Sequence, residues 1–119
     1  MKYYPVNLDL TNKQCVVVGG GDVAERKVER LLACGARVVV VSTSINPALA
    51  ARKKAGQLDH MDREYEDQVL DGAFMVIGAT DRSDVNGRIS RDAMARGLLV
   101  NIVDDPERCN FILPSLVQQ

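Results

Sequence analysis

One stretch limits what this chain can fold into more than any other: Val16 to Lys27, VVVGGGDVAERK. A short apolar run, Cys15 to Val18, reads as a buried strand; it breaks into Gly19, Gly20 and Gly21 and continues into an amphipathic helix. Glycine runs also occur in plain turns. A strand before and a helix after is the setting in which a G-x-G-x-x-A pattern binds a dinucleotide. Gly19 permits the tight strand-to-helix turn, Gly21 lets the backbone approach a pyrophosphate, and the small Ala24 lets the helix pack closely on the strand. The helix start offers unpaired backbone N–H groups and the positive end of its dipole to the phosphates.

The remaining chain continues the alternation. Gln14 to Val18 is the first strand, and the helix after it puts Ala24, Val28, Leu31 and Leu32 on one face. Glu25, Arg26, Glu29 and Arg30 fall outside that stripe and are expected to face water, and Gly35 stops the helix. Arg37 to Val41, with four consecutive valines, suits a parallel strand covered on both faces. Pro47 stands near the start of a second helix that carries Leu49 and Ala50 and ends by Gly56. A weak third strand, Gln57 to Met61, precedes the charged stretch Asp62 to Asp67, read as a solvated connection with a short helical turn and no function. Asp71-Gly72 turns into a fourth strand, Phe74 to Ala79. Ser83 is the expected N-cap of a helix with Val85, Ile89 and Ala93 inward; Gly97 stops it, and Leu98 to Val103 is the fifth strand. Asn110 to Ser115, NFILPS, is read as a short sixth element, and Met1 to Thr11 as an extended lead-in whose Tyr3, Tyr4 and Val6 cover an edge of the core.

Strands alternating with helices predict an α/β fold, a Rossmann-like doubly wound parallel sheet of about five to six strands in the order 3-2-1-4-5. At 119 residues this is a single domain. Ligands on open α/β sheets bind beyond the carboxyl ends of the strands. The residues there are Gly19 to Gly21, Ser42 and Thr43, Thr80 and Asp81, and Asp104 and Asp105, all small or polar. Strand two does not end in the Asp or Glu that usually grips the ribose 2′-OH; Ser42 stands there, which leaves NAD and NADP both open on the residues alone.

Other features narrow the class. A formal net charge of −1 gives no electrostatic case for nucleic acid or an anionic membrane. No apolar run approaches the roughly 20 residues that span a bilayer, and MKYYPVNLDL lacks the apolar core of a signal peptide. Cys15, Cys34 and Cys109 are odd in number with no C-x-x-C pair, which points to a reducing, cytoplasmic setting with no disulfide framework or metal site. Cys15 and Cys34 are expected to pack. His60, the single histidine, lies on the third strand, away from the ligand edge, and is read as a surface or packing residue.

With those segments in place the chain resembles the N-terminal domain of siroheme synthase, the precorrin-2 dehydrogenase and sirohydrochlorin ferrochelatase family. The matching stretches are GGGDVAERK from Gly19, ATD from Ala79 with VN at Val85, and NIVDDP with NFILPS near the end. The resemblance implies NAD-dependent oxidation of precorrin-2 to sirohydrochlorin and, in many members, insertion of Fe(II). It implies that residues 1–119 are the NAD-binding part of a longer protein that forms a homodimer. Family NAD contacts carry over to Asp22, Val23, Thr43 and Ser44, beside Gly19, Gly20 and Gly21. The family's key aspartate, linked to both reactions, becomes Asp104. A carboxylate at that strand end can take the proton released as a hydride leaves for NAD; the plainer reading is a turn residue before Asp105-Pro106. Asp105 is expected only to form the turn. Thr80 and Asp81 end strand four where the nicotinamide is expected, although Asp81 also suits a cap. Asn86 is read as a cap or a surface residue, and Arg26, Lys27 and Arg30 as a solvated helix face, with attraction of a polycarboxylate substrate as the alternative. A regulatory NAD-sensing module or a scaffold would share the fold without the chemistry.

Overall fold

The computed structural model describes residues 1–114. Five strands, β1 (Gln14–Val18), β2 (Arg37–Val41), β3 (Asp59–Met61), β4 (Met75–Gly78) and β5 (Leu99–Ile102), form one sheet in the order β3-β2-β1-β4-β5. Every pairing is parallel, with β1 central: Val16 sits opposite Val39 on one side and Val76 on the other. Three helices connect them: α1 (Asp22–Ala33), α2 (Pro47–Lys54) and α3 (Ser83–Ala95). This is the doubly wound order expected from the alternation of elements.

Side chains on a strand alternate between faces, so a strand covered on both sides must be apolar at consecutive positions. The core accordingly divides in two. Cys15, Val17, Val38, Val40, Met75 and Ile77 face Ala24, Val28 and Leu31 of α1 and Leu49 of α2. Val16, Val18, Val41, Val76, Val100 and Ile102 face Ile89 and Ala93 of α3, together with Tyr65, Val69 and Leu70. The sheet thereby holds α1 and α2 on one side and α3 on the other, and all its strands end at the same polar edge.

Several expectations change at this level. β3 has three residues rather than five, and β4 and β5 are each shorter by one residue at both ends. Tyr4 and Val6 are exposed; Leu10 is the residue of the lead-in that enters the core. Cys15 is buried, but Cys34 is exposed, because the helix has turned it off the apolar stripe by the last residue. Ser83 is the first residue of α3 and no side chain caps that helix; its hydroxyl accepts from the Arg108 guanidinium at 3.1 Å instead. Glu25 and Glu29 do not simply face water. Glu25 accepts from Asn46 at 2.8 Å and Glu29 pairs with Arg52, tying α1 to α2.

No sixth strand forms among the described residues of NFILPS, and its Ser115 lies outside them. The segment instead straps the outer edge of β5. Asn110 donates its backbone N–H to the Val100 carbonyl at 3.0 Å. Its side-chain oxygen accepts from Val100 N–H at 2.8 Å, and its amide donates to the Leu98 carbonyl at 2.8 Å. A single asparagine thus satisfies backbone groups that an unpaired edge leaves open.

Candidate functional site

A cleft of about 930 Å³ opens at the carboxyl edge of the sheet. It is lined by Gly19, Gly20, Gly21, Asp22, Val23, Thr43, Ser44, Thr80, Asp81 and Asp104, so every site residue expected from the sequence lies on one concave surface. These residues come from four separate strand ends, which only the parallel order brings together.

The glycine turn is built from three different requirements. A Cβ on Gly19, where φ is +135°, would stand 2.5 Å from the Ala79 carbonyl oxygen. A Cβ on Gly20 would stand 1.9 Å from the Ser44 carbonyl oxygen. Both positions are closed to a side chain by the protein itself. Gly21 differs: a Cβ there meets no protein atom within 4 Å, and the residue lines the cleft as the N-cap of α1. No side chain caps the first turn of that helix. Unobstructed space in front of uncapped helix N–H groups is what a pyrophosphate requires, so the residues present fit a dinucleotide.

Asn46, which sequence reasoning passed over, locks this turn. Its N–H donates to the Gly20 carbonyl at 2.8 Å, and its amide donates to Asp22 at 3.2 Å and to Glu25 at 2.8 Å. Its side-chain oxygen meanwhile accepts from Leu49 N–H at 2.9 Å, capping α2. The signal was available: asparagine before proline is a helix-start pattern. Asn86 plays the matching part after β4. The Thr80 hydroxyl donates to its side-chain oxygen at 2.7 Å, and its amide donates to the Thr80 carbonyl at 3.1 Å. It clamps the loop that carries Thr80 and Asp81 rather than facing solvent.

Asp104 sits exposed at the cleft rim after β5 with φ +61°, a left-handed conformation uncommon outside glycine. The backbone around it is held from beneath by Cys109. Ile102 N–H donates to the Cys109 sulfur at 3.1 Å, and the thiol donates toward the Asp105 carbonyl at 3.2 Å. Burial pushes the Cys109 thiol above its usual range, which keeps it a protonated strut. Asp105 is half-buried, its carbonyl accepting from Arg108 N–H at 3.1 Å, and belongs to the turn as expected. A smaller hollow of about 180 Å³ adjoins, lined by Lys27, Asp104, Cys109 and Leu113 among others. Lys27 is therefore a half-buried cation on the same hollow as Asp104, while Arg26 and Arg30 face solvent.

The far wall of the cleft comes from Arg63 to Glu66, within the stretch to which the sequence assigned no function. Tyr65 is buried, donates its hydroxyl to Asp92 at 2.7 Å and carries the Arg88 guanidinium over its ring. Burial first, then the Asp92 contact, pushes the Tyr65 phenol well above its usual range. Arg88 pairs with Glu66 at 3.3 Å and Arg82 with Asp84 at 3.0 Å; the latter bond lowers the Asp84 carboxyl. His60 is nearer this edge than expected: its Nε2 lies 2.8 Å from the Ser42 carbonyl and its Nδ1 3.1 Å from Lys53 Nζ. An ammonium only donates, so Nδ1 accepts and Nε2 carries the hydrogen given to Ser42. Its role is still packing. Among the described residues, no three His, Cys, Asp or Glu side chains converge to hold a metal ion, and no helix is long and apolar enough to cross a membrane.

Comparison with known proteins agrees with this geometry. A family model described as "Putative NAD(P)-binding" matches residues 6–115. The whole chain aligns with the siroheme synthase of Methylobacillus flagellatus at 45% identity, covering 26% of that protein. It aligns with siroheme synthase 1 of Aeromonas salmonicida at 44% identity, covering 25%. The chain thus spans about a quarter of the length of the curated relatives it matches. Among solved structures, SirC, a precorrin-2 dehydrogenase, superposes with a TM-score of 0.86 at 27% identity over 98% of this chain and 57% of that one. A D-2-hydroxyisocaproate dehydrogenase superposes at 0.61 with 12% identity, over 88% of this chain and 31% of that one, a likeness of fold alone.

Proposed function

The chain belongs to the NAD(P)-binding family matched over residues 6–115, and from that premise we propose that it is the dinucleotide-binding domain of a precorrin-2 dehydrogenase within a siroheme synthase. The observation that carries the reading is the pairing of an open, uncapped glycine turn with a left-handed aspartate on one cleft. NAD, when bound, accepts the hydride that leaves the reduced tetrapyrrole. Gly21 and the start of α1 would hold the pyrophosphate, Thr43 and Ser44 would contact the adenosine ribose, and Thr80 and Asp81 would serve the nicotinamide. Asp104 takes the proton that leaves with the hydride, so oxidation releases one hydride and one proton.

In this reading the same carboxylate receives pyrrole protons as Fe(II), a substrate, enters sirohydrochlorin. The remaining wall of the tetrapyrrole cleft comes from a following region and a second copy of the chain, in a cytoplasmic homodimer. A regulatory NAD-sensing module would share the glycine turn and the sheet. Similarity to siroheme synthases along all 119 residues favours the enzyme.

The test is anaerobic mixing of this chain with NAD and precorrin-2 while NADH is followed. Wild type is expected to form NADH only when both are present, and Asp104→Asn to lose at least about a hundredfold in turnover. The variant's NAD affinity is expected to change by less than about twofold, since αL suits asparagine as well as aspartate. Equal turnover by the two proteins removes Asp104 from the reaction, and absence of NAD binding by wild type overturns the function.

A further inference from the structure

We propose that the cleft also takes NADP, with Arg63 receiving the 2′-phosphate on the adenosine ribose; this rests on the dinucleotide reading above. The first observation is what β2 lacks at its end. A carboxylate there holds the 2′-OH of NAD and repels the extra phosphate of NADP. This chain has Ser42, Thr43 and Ser44 instead. The Ser42 hydroxyl is turned inward, donating to the Ser44 carbonyl at 2.6 Å, so no acidic group of this loop opposes a phosphate.

The second observation is the state of Arg63. It follows β3, the strand hydrogen-bonded to β2, and lines the same cleft as Ser42 to Ser44. Arg82 and Arg88, also on the cleft, are neutralised by Asp84 and Glu66. Arg63 makes no ion pair among the described residues; its Nε donates to the Glu64 carbonyl at 3.4 Å, leaving the two terminal nitrogens of the fork unengaged. That fork matches phosphate geometry. A second cation stands behind the loop, since Lys53 meets His60 at 3.1 Å and His60 meets the Ser42 carbonyl at 2.8 Å. Glu64 shares the wall and opposes the phosphate, so the two cofactors are expected to bind within about tenfold of each other.

The experiment is calorimetric titration of this chain with NAD and, separately, with NADP at two ionic strengths. Both are expected to bind, and added salt to weaken NADP more than NAD. Arg63→Ala is expected to weaken NADP by about tenfold or more while NAD changes by less than about twofold, and Arg63→Lys to restore part of the loss. NADP more than about a hundredfold weaker than NAD overturns the inference and leaves the dinucleotide reading standing. So does an Arg63→Ala loss that is equal for both cofactors. Binding of neither overturns the dinucleotide reading, and the inference with it.

Discussion

The turn after β1 and the turn after β5 solve the same geometric problem with opposite residues. Both leave a parallel strand at the cleft and both need a positive φ, +135° at Gly19 and +61° at Asp104. After β1 the backbone crowds the turn so closely that Gly19 and Gly20 admit no side chain. After β5 an aspartate occupies the left-handed position, at a cost of about 1 kcal/mol against glycine. That cost is borne by the strap from Cys109 and Asn110, which grips β5 at Ile102 and Val100, just before the turn. Where the site needs only backbone, glycine suffices. Where the proposed reaction needs a carboxylate at a fixed place, the fold keeps an aspartate in a left-handed turn.

This contrast can be broken most severely at Gly20. Gly20→Ala drives a Cβ to 1.9 Å from the Ser44 carbonyl and 2.8 Å from the Ser42 hydroxyl. Urea unfolding should show a loss of more than about 3 kcal/mol, and a loss below about 1 kcal/mol would mean the two loops are not wedged together. Gly21→Ala sharpens the point. It should cost only about 0.5–1 kcal/mol as a poorer helix cap, yet weaken NAD by about tenfold or more, because its methyl group enters ligand space. Unchanged NAD affinity would leave the open space at Gly21 without a ligand.

At the other turn, Asp104→Gly should raise stability by up to about 1 kcal/mol in the same unfolding assay while abolishing NADH formation. A destabilised variant would show that the aspartate side chain supports the turn rather than straining it. The smallest effect concerns the thiols. At pH 8 in the native protein a thiol reagent should label Cys34 quickly and leave Cys15 unmodified, because burial pushes Cys15 up to about 11 and keeps it protonated. The sign for stability follows. The folded state holds that proton more tightly, so the contribution is full below the thiol's ordinary value of 9.0 and is lost as pH rises toward 11. Rapid native labelling of Cys15 would show that its strand opens.

Much of the fold was legible because its causes are local. Unbroken valine runs mark strands covered on both faces, a four-residue apolar spacing marks α1, and three glycines mark a turn where backbone must come close to something. The strand order followed from those elements together with the general handedness of parallel crossovers. The ten expected cleft residues were also readable, since strand ends in such a sheet share one edge. Glu25 and Glu29 differ from expectation because helical periodicity says which way a side chain points and nothing about what meets it there. Glu29 points off the apolar stripe of α1, and Arg52 on α2 is waiting for it.

What the sequence by itself determined is therefore the alternation of elements, the apolar faces and the glycine turn, each set by residues within a few positions of one another. What only the tertiary structure decided is which distant groups share the cleft. Arg63 and Tyr65 reach its wall because β3 lies next to β2, and Asn46 reaches the Gly20 carbonyl because α2 begins beside the turn. Asp104 takes its left-handed φ in a turn whose β5 is braced by residues five and six positions further along. Contacts of that kind depend on chain packing in three dimensions, and no local pattern of residue types encodes them.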